Sequence, residues 1–194
     1  VLLTAELIRP NNPLTREKTA IISKNYERYC QEALNFWAWE PNQLQHALEK
    51  VRTEAISKDR SNWLGKHQSF PGVIKRLNTL NAEGYDLAIL TTKGSEFTAE
   101  LLTHFQLKPK LIFGHESGTK TTVLIELSRE HVIRGFIEDR RTTLETVLRN
   151  DKLKSLNCLL ASWGYLKPND KRNLPPNIHL LDTETFMAPL ASWP

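Results

Sequence analysis

The sequence predicts an α/β fold, a Rossmann-like and mostly parallel sheet with crossover helices, preceded by an all-helical segment. Three observations lead there. Short apolar runs without polar alternation recur between Leu87 and Leu181, as strands covered on both faces require. Segments of helical period separate them, giving a βαβ series. Upstream of Phe70 the chain shows helical periodicity alone.

From Leu14 to about Leu64, Ile21, Ile22, Tyr26, Tyr29, Cys30 and Ala33 follow a helical repeat, and Leu44, Leu48, Val51 and Ala55 follow another. Pro41-Asn42 separates the two runs, because proline is accepted in the first turn of a helix and not in its interior. A helical hairpin results. Phe70-Pro71-Gly72 marks a junction, so residues 1–66 read as one helical unit and 67–194 as a second unit. Past the junction, helices are predicted over Val73–Ala82, Glu96–Phe105, Thr121–Leu127 and Thr142–Leu148. The intervening strands are Leu87–Leu90, Leu111–Phe113, Val132–Ile137, Asn157–Leu160 and Ile178–Leu181. Pro168–Pro176 reads as a surface loop and Trp193-Pro194 as a surface tail.

Composition narrows the function classes. With 40% hydrophobic and 25% charged residues in 194, the chain is globular rather than disordered. The net charge of +4 is spread among interleaved acids and bases, with no basic tract of the kind that tracks nucleic acid. No apolar stretch reaches the roughly 18 residues of a spanning helix, and Val1-Leu2-Leu3-Thr4-Ala5-Glu6 does not resemble a signal segment. Cys30 and Cys158 lie outside any zinc or redox spacing and read as reduced thiols. A soluble cytoplasmic protein is expected, binding neither nucleic acid nor membrane. Oligomeric state is not legible.

Three polar sites carry the chemistry. Thr91, Thr92, Lys93 and Gly94 follow the Leu87–Leu90 strand, with Ser95 as a helix-cap candidate; a hydroxyl and free N–H groups there suit a phosphate oxygen. Each could equally be a strand end and a helix cap. Lys120 opens a helical run, where the helix dipole disfavours a cation and a compensating anion is expected. Its plain alternative is a solvated loop lysine. Glu138-Asp139 leaves the strand ending at Ile137, and such hard oxygen donors suit magnesium. A charged strand exit paired with Arg140-Arg141 is the alternative. In an open parallel sheet, all three sites fall at the carboxyl ends of strands and can converge on one crevice.

In that order, the segments Leu87-Ala88-Ile89-Leu90-Thr91-Thr92-Lys93, Lys120 and Phe136-Ile137-Glu138-Asp139 resemble motifs two, three and four of the haloacid dehalogenase superfamily of aspartate-nucleophile phosphatases. The helical part before Phe70-Pro71-Gly72-Val73 resembles that superfamily's inserted cap. Phe136 to Arg140, with Trp163-Gly164-Tyr165, is similar to an uncharacterised phosphatase-like subgroup. The resemblance implies a magnesium-dependent phosphoric monoester hydrolase acting on a small phosphorylated substrate through an aspartyl phosphate. It implies that Thr91 and the Thr92 N–H hold the phosphoryl group and that Lys120 neutralises its charge. Asp139 would bind Mg2+, with Glu138 beside it as a second metal residue.

Two departures accompany the resemblance. The commoner fourth motif has glycine where Glu138 stands and a second Asp where Thr143 stands. The first motif, an Asp-x-Asp after an apolar strand, has no counterpart, since Glu6, Glu17, Glu54 and Asp59 lie in helical or loop contexts. No nucleophile is assigned, and the chain is expected to lack the strand that bears it. Without that central strand, the Leu87–Leu90 and Val132–Ile137 strands would leave unpaired backbone groups facing a gap. The expectation is that these two strands do not pair directly. A catalytically inactive domain binding a phosphorylated ligand or protein partner is the second reading, and a doubly wound domain of flavodoxin or receiver type the third. Phe36, Trp37, Trp39 and Trp63 could line a substrate entrance, or form the cap's own core.

Overall fold

The computed structural model describes residues 25–194. The readings placed on Val1–Glu6, Leu14, Glu17, Ile21 and Ile22 lie outside the described residues. The fold divides into two compact units, one running to Trp63 and the other from Leu64 to Pro194.

The first unit holds helices α1 (Tyr26–Trp37) and α2 (Pro41–Lys58); a short α3 (Arg60–Gly65) spans the division. α1 stops where Ala38 adopts a left-handed conformation, φ 54°. The Glu40 N–H then donates to the Gln43 side chain at 2.8 Å, and Pro41 fills the first turn of α2. Tyr29, Ala33 and Leu34 are buried, and Trp37 and Trp39 pack on them with their rings edge to face, centroids 5.3 Å apart. Those two tryptophans therefore belong to the unit's core, and Trp63 is buried as well. Phe36 stays exposed. The apolar repeat of α2 buries no residue, and Val51 is 60% exposed.

The second unit runs α4 (Val73–Ala82), β1 (Ala88–Leu90), α5 (Ser95–His104), β2 (Leu111–Phe113), α6 (Lys120–Glu130), β3 (Phe136–Glu138), α7 (Arg141–Leu148), β4 (Cys158–Ala161), β5 (Ile178–Leu181) and α8 (Thr183–Met187). All pairings are parallel. β1 pairs with β2 in one sheet, and β3, β4 and β5 lie in that order in another. β1 and β3 do not pair with each other, in line with the sequence expectation.

β4 is buried along its whole length and shows why its sequence lacks alternation. Cys158 and Leu160 face a core of Leu124, Phe136, Leu144, Val147 and Ile178, whereas Leu159 faces Leu181 and Phe186 on the other side. Register sets the functional end: Glu138 lies opposite Leu160 and shares a face with Phe136, toward the core that Leu124 of α6 and Leu144 of α7 help to form. Leu90 of β1 packs against that same cluster.

Three readings change. The strand expected over Val132–Ile137 begins only at Phe136 and includes Glu138. α6 runs to Glu130, and Val132 is 81% exposed in the connection that follows; Glu138 is admitted to the strand because its charge is paired. Ser95 is not the cap of α5 but its first residue. Trp193-Pro194 is no free tail: Trp193 stacks near Phe186, and Pro194 O accepts from the Asn157 side chain at 2.7 Å. Among the described residues no helix is long and apolar enough to cross a membrane.

Candidate active site

At the carboxyl end of β1, the Thr91 N–H extends the pairing with β2 by donating to Phe113 O at 2.9 Å. The Thr91 Oγ1 then accepts from the Lys93 N–H at 3.1 Å, a turn that leaves its own proton available to a ligand. Thr92 lies exposed between them. The start of α5 just beyond is already occupied by a carboxylate: the Ser95 N–H donates to Glu116 Oε1 at 3.0 Å. Hydrogen bonds from the Ser95 side chain and from the Glu116 and Ser95 backbone N–H groups hold the Glu116 carboxyl below the usual carboxylate range. Gly114 permits this approach, since a Cβ there would fall 2.3 Å from Glu116 Oε2.

Lys120 is the first residue of α6, after Thr119, whose Oγ1 accepts from the Thr122 N–H at 3.1 Å. The anion expected to offset a lysine in that position is Glu138. The Lys120 ammonium donates to Glu138 Oε2, and the Arg140 N–H donates to Glu138 Oε1 at 3.1 Å. Both Glu138 oxygens are therefore engaged, on a side chain only 6% exposed, while the Lys120 side chain keeps 23% exposure.

Asp139 leaves β3 as the next residue and is fixed from another side. The Tyr165 N–H donates to Asp139 Oδ2 at 3.2 Å, and no described residue donates a hydrogen bond to Oδ1. Gly164 makes the contact possible: a Cβ on it would lie 2.1 Å from the Asp139 Cβ. Trp163 anchors this turn by packing on Phe186 at 4.8 Å between ring centroids.

Thr91, Thr92, Lys120, Glu138 and Asp139, the five residues singled out from the sequence, line one cavity of about 450 Å³. Sequence reasoning missed Arg140, which lines it too, and the roles of Gly164 and the Tyr165 N–H. Only the Trp163-Gly164-Tyr165 string hinted at the latter. The cavity combines hydroxyl donors, a paired ammonium and carboxylate, a carboxylate with one oxygen open, and an exposed arginine. Such a set can hold a tetrahedral oxyanion beside a hard cation.

Among the described residues no three His, Cys, Asp or Glu side chains gather to hold a metal. Magnesium does not need three. It usually keeps several waters and takes one or two carboxylates plus substrate phosphate, and the open Asp139 oxygen beside a hydroxyl-lined cavity fits that habit.

A family model described as haloacid dehalogenase-like hydrolase matches residues 17–117, just over half the chain. The match takes in Thr91 and Thr92 and ends before Lys120, Glu138 and Asp139. No curated protein and no solved structure matches the chain.

Proposed function

Because the chain belongs to the haloacid dehalogenase-like hydrolases, we propose that it is a magnesium-dependent phosphoric monoester hydrolase that acts in the cytoplasm on a small phosphorylated substrate through an aspartyl phosphate. One observation carries this reading: hydroxyl, ammonium and carboxylate arrive from three separate crossovers at a single cavity beyond the strand ends. In this proposal residues 1–66 are the cap and 67–194 the core that bears the site.

Phosphoryl transfer requires chiefly positioning and charge neutralisation. The Thr91 hydroxyl, oriented by the Lys93 N–H, would donate to a non-bridging phosphoryl oxygen, together with the Thr92 N–H. Lys120 would face the developing charge while its ammonium stays held by Glu138. Asp139 would hold Mg2+ through the oxygen that Tyr165 leaves open. Bound there, magnesium would polarise the phosphoryl oxygens and neutralise charge. Glu138, with both oxygens engaged, serves as the counter-ion that fixes Lys120 beside the metal site. No carboxylate among the described residues is assigned as the nucleophile.

The test is phosphate release from a broad panel of phosphomonoesters by the protein translated from its complete reading frame, with and without magnesium. Release that requires magnesium and falls about a hundredfold or more in Asp139→Asn supports the proposal. Phosphate-ester binding without turnover would replace it with the inactive-domain reading. The engagement of one Glu138 oxygen by Lys120 and of the other by the Arg140 N–H is the observation that favours that alternative.

A further inference from the structure

Four charged residues line the cavity: Lys120, Glu138, Asp139 and Arg140. Their charges are not equally engaged. Lys120 is held by a nearly buried carboxylate, so its positive charge is largely cancelled before any ligand arrives. Asp139 is negative and repels an anion unless a cation intervenes. Arg140 differs from both, because its backbone N–H serves Glu138 while its guanidinium has no hydrogen bond or ion pair among the described residues. Arg140 is exposed, whereas the neighbouring Arg141 is taken up by Glu145 and by the carbonyls of Arg172 and Asn173.

We propose that Arg140 is the anion-recognition residue of this cavity, its guanidinium donating to two oxygens of the phosphoryl group. A planar fork of N–H donors matches phosphate oxygens in pairs, which the point charge of a lysine cannot do. The assignment divides the work between the cations: Arg140 captures the incoming anion, and Lys120, fixed by Glu138, meets it at the floor. The Arg140 backbone is fixed by the same Glu138, so one buried carboxylate sets the origin of both cationic side chains. The inference rests on the phosphoryl-transfer reading only for its choice of ligand.

The experiment is titration of the metal-free protein with inorganic phosphate, followed by calorimetry and by the arginine Nε–Hε resonances. Arg140→Gln is expected to weaken phosphate about tenfold or more, because a hydrogen-bonded charge is lost. Arg140→Lys should recover part of that loss. Arg134→Gln removes an equal charge from a residue outside the cavity lining and should stay within about twofold of wild type. A shift of the Arg140 Nε–Hε resonance in wild type on adding phosphate supports the assignment even if Arg140→Gln folds poorly. Arg140→Gln binding phosphate as well as Arg134→Gln does would overturn it, as would a wild-type protein that binds no phosphate. Turnover with an unchanged Arg140→Gln sinks this inference and spares the hydrolase reading. Arg140-dependent phosphate binding with no turnover on any substrate does the reverse.

Discussion

Gly164 packs directly against Asp139, close enough that a Cβ at position 164 would fall 2.1 Å from the Asp139 Cβ and 2.7 Å from its Oδ2. Rotating the carboxylate relieves the second contact but not the first, because a Cβ moves only with its backbone. Gly164→Ala should therefore displace the end of β3, at an overpacking cost of about 1–3 kcal/mol in urea unfolding. If the proposed hydrolase reading holds, turnover should fall further than stability does, because that reading places magnesium on the open Asp139 oxygen. An alanine variant with wild-type stability and activity would show that the 163–165 turn yields freely and does not set the position of Asp139.

The Lys120–Glu138 pair makes a signed prediction about stability. Lys120→Met leaves the Glu138 carboxylate, 6% exposed, without its cation. Breaking a buried pair on one side costs about 3–5 kcal/mol, and the 23% exposure of Lys120 puts this case toward the low end. Glu138→Gln strands the more accessible ammonium and should cost less. The double variant Lys120→Met/Glu138→Gln should be more stable than Lys120→Met alone, because no orphan carboxylate remains. Urea midpoints of the four proteins close the cycle, and simple additivity would mean the two side chains are not coupled.

Much of this arrangement is legible in the residues. The helix over Val73–Ala82 and the strands Leu111–Phe113 and Ile178–Leu181 agree with their sequence reading to the residue, because a strong local period or a short, mostly apolar run between turn signals leaves one interpretation. The five site residues also meet in one cavity, because strand ends in a parallel sheet converge whatever the loops do. What stays hidden depends on partners distant in sequence. Glu138 looks like a strand exit until Lys120, from another crossover, admits it to β3. Ser95 looks like a cap until Glu116 supplies the acceptor. Trp193 looks like a loose end because Phe186 and Arg76 give it a seat that no local pattern announces.

Cys158 should behave as an inert core residue with a pH signature. Burial pushes its thiol up to about 11, from an ordinary 9.0. The native state thus keeps its proton after the unfolded chain has lost it. Stability from this group is complete below about pH 9 and is lost as pH rises through about 11, up to about 3 kcal/mol in all. Cys158→Ala should be less stable at neutral pH, because it opens a cavity, yet should lose less on alkalinisation. Parallel slopes for both proteins between about pH 8 and about pH 10.5 would sink the idea. In native protein a thiol reagent should leave Cys158 untouched, since its side chain is fully buried.

Arg76 should be the costliest single charge to remove outside the cavity. Its side chain is 5% exposed, and each guanidinium nitrogen has an acceptor. Nε donates to Phe186 O at 3.0 Å, one terminal nitrogen to Glu83 Oε1 at 2.9 Å and the other to Ala188 O at 2.9 Å. The guanidinium carbon also lies 5.9 Å from the centre of the Trp193 ring. These contacts tie α4 to the end of α8 and to the C-terminal segment, which completes the core around Leu159, Leu181 and Phe186. Arg76→Ala withdraws donors from two carbonyls and empties a buried site, so a loss of about 3 kcal/mol in urea unfolding is expected. Arg76→Lys keeps the charge but can satisfy fewer of these separated acceptors, and should fall between alanine and wild type. Hydrogen exchange separates a local from a global effect: the Ala188 and Trp193 amides should lose more protection than the Leu160 amide in β4. If Arg76→Ala lies within about 0.5 kcal/mol of wild type with those amides still protected, the segment is held by Trp193 and Phe186 packing alone.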